Sequence, residues 1–450
     1  MTQHSLSFLR QSLPLLVIAA SAVAFGACDS GQSSSDDSSG AGAPVSAAGA
    51  GSAGAPAHAG SGGSPSAAGA HTGGAPSGGS AGASTGTAGG ASTAGSSGIL
   101  LGSGGPFPFP QNKKPGACTL TTAAGASASV QSAYNSWKTA FVTSSGAGNG
   151  LRVRRNTDGD DTVSEGIGYG MIAAAYMADR TTFDGLWTYA KAHFDENGLM
   201  NWHIDAGGGP AGSDKGSAAD ADEDMGWALV MAANQWSSSA YLDDAKKVIQ
   251  AIFDTSIAGD GMLKPGDQWG GTTTTYPDYF SPAYYRVFAK VINNPNWSGA
   301  IIDRNYEILD KVAGAHGLVP DKTTSTYDIM GNYSYDACRT PWRIAMDYCF
   351  NGEPRAKAYL DKVGPFFDQI GAGNIVDGYA PSGSQTSNYK NFAFIGPAGV
   401  AGMAGHPTLL DAAFGIGAGN SAGDNSYYGQ SLRVITMLMM SGNFVDFTKP

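Results

Sequence analysis

The sequence predicts an all-α fold, a closed double ring of about twelve helices around an aromatic-lined cleft. Three observations predict it. Helix-length segments recur along residues 106–450 and alternate between two characters, apolar on every side and amphipathic. Glycine-rich loops punctuate them at short intervals. Strand-like alternation is scarce.

In chain order the helical segments fall near 128–142, 165–179, 182–195, 219–235, 239–254, 280–292, 298–314, 337–350, 353–369, 391–403, 407–416 and 426–440. "MGWALVMAANQW" (225–236) leaves no room for a solvated face and is expected inside. "YLDDAKKVIQAIFD" (241–254) carries one apolar stripe and is expected outside. Alternation of inner and outer helices is what a ring of helical hairpins requires. Short extended pieces are expected in "NGLMNWHID" (197–205) and "GNIVDGYA" (373–380).

The first quarter of the chain is different. Arg10 precedes "LPLLVIAASAVAFGAC", an apolar run of small residues that reads as a secretory signal peptide over 1–27. Its end, "FGAC", resembles a bacterial lipobox with Phe25 in place of the usual Leu. There Cys28 is the residue cleaved at and lipidated; ordinary signal cleavage would leave it a bystander. Residues 28–105 are almost entirely Gly, Ala, Ser, Thr and Pro, with no Lys or Arg. They bury too little surface to offset ordering entropy and read as a flexible linker, a stalk if Cys28 is lipidated. No other apolar stretch is long enough to span a bilayer. The expectation is a secreted protein, held at a membrane only through a lipid on Cys28. The rest, 106–450, is one large domain, expected to act as a monomer.

The four cysteines leave three inside the domain, Cys118, Cys338 and Cys349. Cys338 and Cys349 lie about 16 Å apart along a continuous helix, too far to pair, so buried thiols are expected. A net charge of -11 and a pI near 5.0 argue against nucleic acid. They admit neutral glucans and cationic chitosan.

Five loops, "LMNWHIDAGGG", "LKPGDQWGG", "TYPDYFSPAYY", "GNYSYDACRTPW" and "NSYYGQS", set aromatics beside Gly, Asp or Asn. Flat apolar faces rimmed by hydrogen-bonding groups suit sugar rings. Trp and Tyr near helix ends also fill cores, yet five such loops at corresponding helix ends favour a lined cleft. Trp202, Trp269, Tyr335, Tyr427 and Tyr428 are the candidate sugar contacts, with both indoles expected to be exposed.

Three carboxylate sites stand out. Glu165 opens an apolar, glycine-rich helix behind Ser164, which is placed to cap it. "AADADEDMGWAL" (218–229) gathers Asp220, Asp222, Glu223 and Asp224 at the head of an apolar helix. "YSYDACRTPWR" (333–343) puts Asp336 just before Arg339 and Pro341. The second site is not a calcium loop, because Met225 and Met231 occupy the positions that need Gly and Glu. Helix-dipole capping accounts for some of these acids but poorly for a buried cluster. No metal or cofactor is expected.

"SEGIGYGM", "WHID", "DADEDM", "LKPGDQWGG", "YDACRTPWR" and "SYYGQSLR" occur in an order and spacing that resemble glycoside hydrolase family 8, over residues 118 to 446. The resemblance implies an (α/α)6 barrel and inverting hydrolysis of a β-linked polysaccharide. It places the general acid on Glu165 and the general base on Asp336. Asp220 would hold the distorted sugar, and Arg339 would orient Asp336 and keep it ionised. The family usually reads Ala-Thr-Asp where this chain has Ala218-Ala219-Asp220, which removes a hydroxyl beside the site. Chitosanases of one branch lack the equivalent of Asp336, so its presence favours the branch of endoglucanases and xylanases. The expected activity is endo-β-1,4-glucanase. The alternatives are xylan, mixed-linkage β-glucan or chitosan as substrate, or a non-catalytic glucan-binding surface protein. A helix N-terminus favours an ionised Glu165, whereas an acid catalyst must keep its proton; burial and the charge of Asp220 would have to win.

Overall fold

The computed structural model describes residues 106–122, 126–212 and 214–449. The expected signal peptide (1–27), linker (28–105) and Cys28 lie outside the described residues.

Twelve α-helices are present among the described residues: α1 (Ala126–Phe141), α2 (Ser164–Tyr176), α3 (Arg180–Ala192), α4 (Ala219–Gln235), α5 (Ser239–Ser256), α6 (Pro282–Val291), α7 (Ile302–Val312), α8 (Thr340–Asn351), α9 (Pro354–Ile370), α10 (Phe392–Gly402), α11 (Pro407–Gly419) and α12 (Tyr427–Met440). Each coincides with a helix expected from sequence. The segment expected to start near 298 opens with a π-helical turn, Trp297–Ile301, before α7 begins.

The even-numbered helices form the inner ring. Every residue of α4 and of α10 is buried, as is almost all of α2 and α12. Around the ring α12 packs on α2, α2 on α4, α6 on α8, α8 on α10 and α10 on α12. Trp227 of α4 stacks on Tyr284 of α6 at 4.5 Å, which completes the circuit. The odd-numbered helices lie outside. In α5 the buried residues Tyr241, Ala245, Val248, Ile249 and Ile252 recur at helical spacing and make one stripe.

Glycine permits the close approach of the inner helices. A Cβ on Gly168 would meet the Asp224 Cβ at 2.9 Å, and one on Gly396 would meet Thr436 Oγ1 at 2.4 Å. Either substitution would force two inner helices apart.

Short antiparallel pairs brace the loops: β1 (Val142–Thr143) with β2 (Arg152–Val153), and β3 (Thr162–Val163) with β4 (His203–Ile204). A small sheet joins β5 (Thr274–Thr275), β6 (Lys322–Thr324) and β7 (Ile329–Met330). The extended piece expected at 197–205 supplies β4, and the one at 373–380 supplies the bridge from Tyr379 to Tyr333.

The expectation of unpaired thiols fails for two of the three domain cysteines. Cys118 is bonded to Cys349, and Cys338 is a buried cysteine outside that bond. The distance argument against Cys338–Cys349 holds. The missing partner was Cys118, brought up by a strap over 106–122 that crosses the C-terminal ends of the inner helices. Along it Ala117 N donates to Cys349 O and Lys113 N to Gly442 O, both at 2.8 Å.

Candidate active site

The opposite end of the ring, at the N-termini of the inner helices, gathers the acids. Glu165 opens α2, Asp220 opens α4, Asp278 lies in the 3₁₀ turn Pro277–Tyr279 before α6, and Asp336 and Arg339 flank the turn before α8. Five positions spread over 175 residues thus meet because the ring returns every second helix to the same face.

Arg339 is the hub. Its Nη1 donates to Glu165 Oε2 at 2.6 Å, to Asp220 Oδ2 at 2.5 Å and to Tyr169 Oη at 3.2 Å. Its Nη2 lies 2.6 Å from Asp278 Oδ2 and 3.6 Å from Asp336 Oδ1. The four carboxyl groups differ in access. Asp278 and Asp220 are 0% and 3% exposed, whereas Glu165 and Asp336 are 13% and 20% exposed. Two acids therefore anchor the arginine from within, and two keep contact with solvent.

Burial dominates the electrostatics. It pushes Glu165 up to about 7, against the pull of Arg339 and with help from Asp220, while Tyr427 Oη donates to Glu165 Oε1 at 2.8 Å. It pushes Asp336 up to about 7 as well, against Arg339 and with help from Asp321. The tension at Glu165 is resolved in favour of burial, since a helix end offers about 0.3–1 kcal/mol to an anion and desolvation costs more. Arg339 does not keep Asp336 firmly ionised, because its nearer contacts go elsewhere.

Two details differ from the sequence reading. Ser164 is the first residue of α2; Val163 stands at the cap position and no side chain caps the helix. Instead Ser164 N donates to Trp202 O at 2.8 Å, so the β3–β4 pair supplies the acceptor. The acids of α4 are also not solvated caps. Asp224 is bridged by both terminal nitrogens of Arg343, and Glu223 accepts from Tyr285 Oη at 2.8 Å. The neutralising cations come from α8 and its leading turn, far away in sequence.

The aromatic residues divide. Trp202 and Trp269 meet in one small cluster with Val163, Ala218 and Tyr427, directly beside Glu165. Trp269 is half-buried and its indole donates to Ser217 O at 2.7 Å, so part of the ring stays in contact with solvent. Trp202 is only 6% exposed, contrary to expectation. Its backbone pairs with Ser164 and Gly216, and its ring packs under Val163 and Ala218. Tyr427 and Tyr335 are half-buried. Tyr428 is buried and donates to Tyr335 O at 2.6 Å, so it shapes the loop of Asp336 rather than lining the cleft.

Sequence reasoning missed Asp278, Tyr169 and Asp321. Asp321 accepts from Ser334 N and Ala337 N, which fixes the loop of Asp336. Asp278 stood in the quoted "TYPDYF", and an acid between two tyrosines just after a proline was the available signal.

A family model for glycosyl hydrolases family 8 matches residues 107–442. The chain is 40% identical over 339 residues to Endoglucanase A of Acetivibrio thermocellus, covering 70% of each chain. It is 32% identical to the Beta-glucanase of Niallia circulans, covering 75% of this chain and 91% of that one. The solved apo structure of Beta-1,3-1,4-glucanase from Paenibacillus sp. X4 superposes with a TM-score of 0.70 at 30% identity, over 75% of this chain and 98% of the other. With its ring of paired helices and its carboxyl-lined end, the chain belongs to glycosyl hydrolases family 8 and is a glycoside hydrolase built on the (α/α)6 barrel.

Proposed function

We propose that the protein is an endo-β-1,4-glucanase that cleaves with inversion, with Glu165 as general acid and Asp336 as general base. One observation carries the reading: of the four carboxyl groups gathered on Arg339, these two are the ones in contact with solvent and both sit near 7. A group near 7 can hold or release a proton at neutral pH, which acid–base catalysis demands.

In this mechanism Glu165 gives its proton to the glycosidic oxygen as the bond to the anomeric carbon breaks. Asp336 takes a proton from a water whose oxygen attacks that carbon from the opposite face. Each turnover leaves Glu165 ionised and Asp336 protonated, and their contact with solvent lets both exchange back. Asp220 is fixed 2.5 Å from Arg339, and the edge left by its 3% exposure is where it would hold a distorted ring. Trp269 offers the flat face for a neighbouring sugar.

The relatives named as endoglucanases support a β-1,4-glucan as substrate. A mixed-linkage β-glucan is the second reading, favoured by the solved relative named as a β-1,3-1,4-glucanase. Reducing-sugar release from carboxymethylcellulose, lichenan, xylan and chitosan tests both. Carboxymethylcellulose should be cut fastest; exclusive action on lichenan would favour the second reading, and no release from any substrate would leave a binding protein. Proton NMR of the first product should show the α anomer, and an initial β product would overturn the roles of Glu165 and Asp336.

The leading 1–27 segment and Cys28 fit export with lipid attachment. The Cys118–Cys349 disulfide supports that reading, because such bonds persist in oxidising compartments. Radiolabelled palmitate on the full chain, lost in Cys28→Ser, is the test.

A further inference from the structure

The Nη2 nitrogen of Arg339 faces two carboxyl groups at unequal distance, Asp278 at 2.6 Å and Asp336 at 3.6 Å. We infer that Asp278 is a positioning residue that occupies Arg339 and thereby holds the guanidinium away from Asp336. The inference rests on the reading of Asp336 as the base.

The geometry leaves Asp278 little else to do. It is fully buried, and its close polar contact is with Arg339. Pro277 opens the 3₁₀ turn that aims it inward, and Tyr279 lies under the guanidinium at 5.3 Å. Burial drives the Asp278 carboxyl well above the usual range, against the opposing pull of Arg339. Its Oδ2 touches Nη2 without the alignment of a hydrogen bond and neither carboxyl oxygen has another partner among the described residues, so its service is to hold Nη2 by close polar contact. Nη1 is fixed by Glu165 and Asp220 while Nε reaches Asp336 O only at 3.4 Å, so the movement left to Arg339 is a pivot about Nη1 that swings Nη2 between Asp278 and Asp336.

The consequence falls on Asp336. The charged and titratable groups around it are Arg339, Asp321, Lys322, Glu165, Asp278 and Tyr276. A guanidinium in direct contact with a carboxylate lowers its pKa by about 1–3 units and makes it a poorer base. Removing the Asp278 carboxyl frees Nη2 to pivot toward Asp336 and close the gap of 3.6 Å.

The test compares Asp278→Ala with Asp278→Asn in the full chain, with thermal melts to show that each folds. The Ala variant should shift the acid limb of the kcat/KM profile to lower pH by about one unit and lower kcat about tenfold. The Asn variant keeps a polar oxygen in contact with Nη2 and should restore most of both. An unmoved acid limb in Asp278→Ala, or equal shifts in Ala and Asn, overturns the inference. Should the Ala variant not fold, Asp278→Leu fills the space without a polar oxygen and carries the same two outcomes. Asp336→Asn, assayed in parallel, separates the readings: if it stays active the base assignment fails, whatever Asp278 does.

Discussion

The two ends of the helical ring are built on opposite principles. At the N-terminal ends of the inner helices, four carboxyl groups crowd one arginine, and burial lifts both Glu165 and Asp336 to about 7. At the C-terminal ends, ring packing and a covalent bond dominate. Phe107 stacks on Phe447 at 4.3 Å and Tyr176 on Phe444 at 4.1 Å. Gln235 both accepts from Phe107 N and donates to Phe107 O. The disulfide from Cys118 to Cys349 closes that face. The crowding of like charge on one cation thus lies at one end, while stacked rings and a covalent bond brace the other.

The comparison breaks most sharply if chemistry and stability fail to separate. Glu165→Gln and Asp336→Asn should each lose about 10²–10⁴-fold in kcat while folding normally. The wild-type profile should be a bell centred near pH 7, since activity needs Glu165 protonated and Asp336 ionised and both lie near 7. Near-wild-type turnover in either variant would remove that residue from the mechanism. A loss of fold in both would mean that the open end is structural after all.

The closed end should answer in the opposite currency. Replacing Cys118 and Cys349 together by Ser should cost about 2–5 kcal/mol of stability. Below the new melting temperature, kcat and KM should stay within about twofold of wild type, as no contact runs from that bond to Arg339. A large change in kcat would show that the strap tunes the site. An unchanged melting temperature would show that packing of Phe107 and Phe447 alone holds the face.

How much of this was legible in the sequence follows from the same division. The helices and their inner or outer placement could be read because α4 and α10 are apolar on every side while α5 carries one stripe. Glu165, Asp220, Asp336 and Arg339 could be picked out because each sits in a distinctive motif, and the structure brings all four together. Asp278 was not legible, since nothing local tells that a lone acid in an aromatic loop will face an arginine 61 positions on. Cys118 was not legible either, its partner being 231 residues away. Trp202 was misjudged because a tryptophan in a glycine-rich loop looks exposed until the loop folds back over it.

Trp202 and Trp269 sharpen the comparison within the open end. Trp202→Ala should destabilise by about 3–5 kcal/mol, because its ring is buried. Trp269→Ala should mainly raise KM, by about 3- to 10-fold, with a small effect on the melting temperature. Tight oligosaccharide binding and an unchanged melting temperature in Trp202→Ala would mean that its ring is neither support nor platform. If instead Trp269→Ala unfolds with KM unmoved at low temperature, Trp269 is core filler and the platform lies elsewhere.

The smallest effect concerns a pair of acids at the edge of the same end. Asp195 and Asp267 face each other between the loops that carry Trp202 and Trp269. Asn197 Nδ2 donates to Asp267 at 2.6 Å, and Gln268 Nε2 donates to Asp195 at 2.9 Å. Burial, then the hydrogen bond and charge of Asp267, raise Asp195 to about 6, while Asp267 is held below the usual range because Asp195 and Asn197 donate to it. A proton held on Asp195 against Asp267 would add a link between the two loops. A carboxyl raised in the folded state binds its proton more tightly there than in the unfolded chain. Its contribution to stability is therefore complete below the ordinary value of 3.8 and is lost as pH rises through about 6. Glu165 and Asp336 act in the same direction near 7, so the protein should lose stability between pH 5 and 8. Asn at position 195 keeps a donor for Asp267 at every pH. Asp195→Asn should match wild type in melting temperature at pH 5 and exceed it by about 1–3 °C at pH 8. KM should rise less from pH 5 to 8 in the variant than in wild type, because the loops stay joined. Parallel melting curves across that range would show that no proton is shared and that Gln268 and Asn197 alone hold the loops.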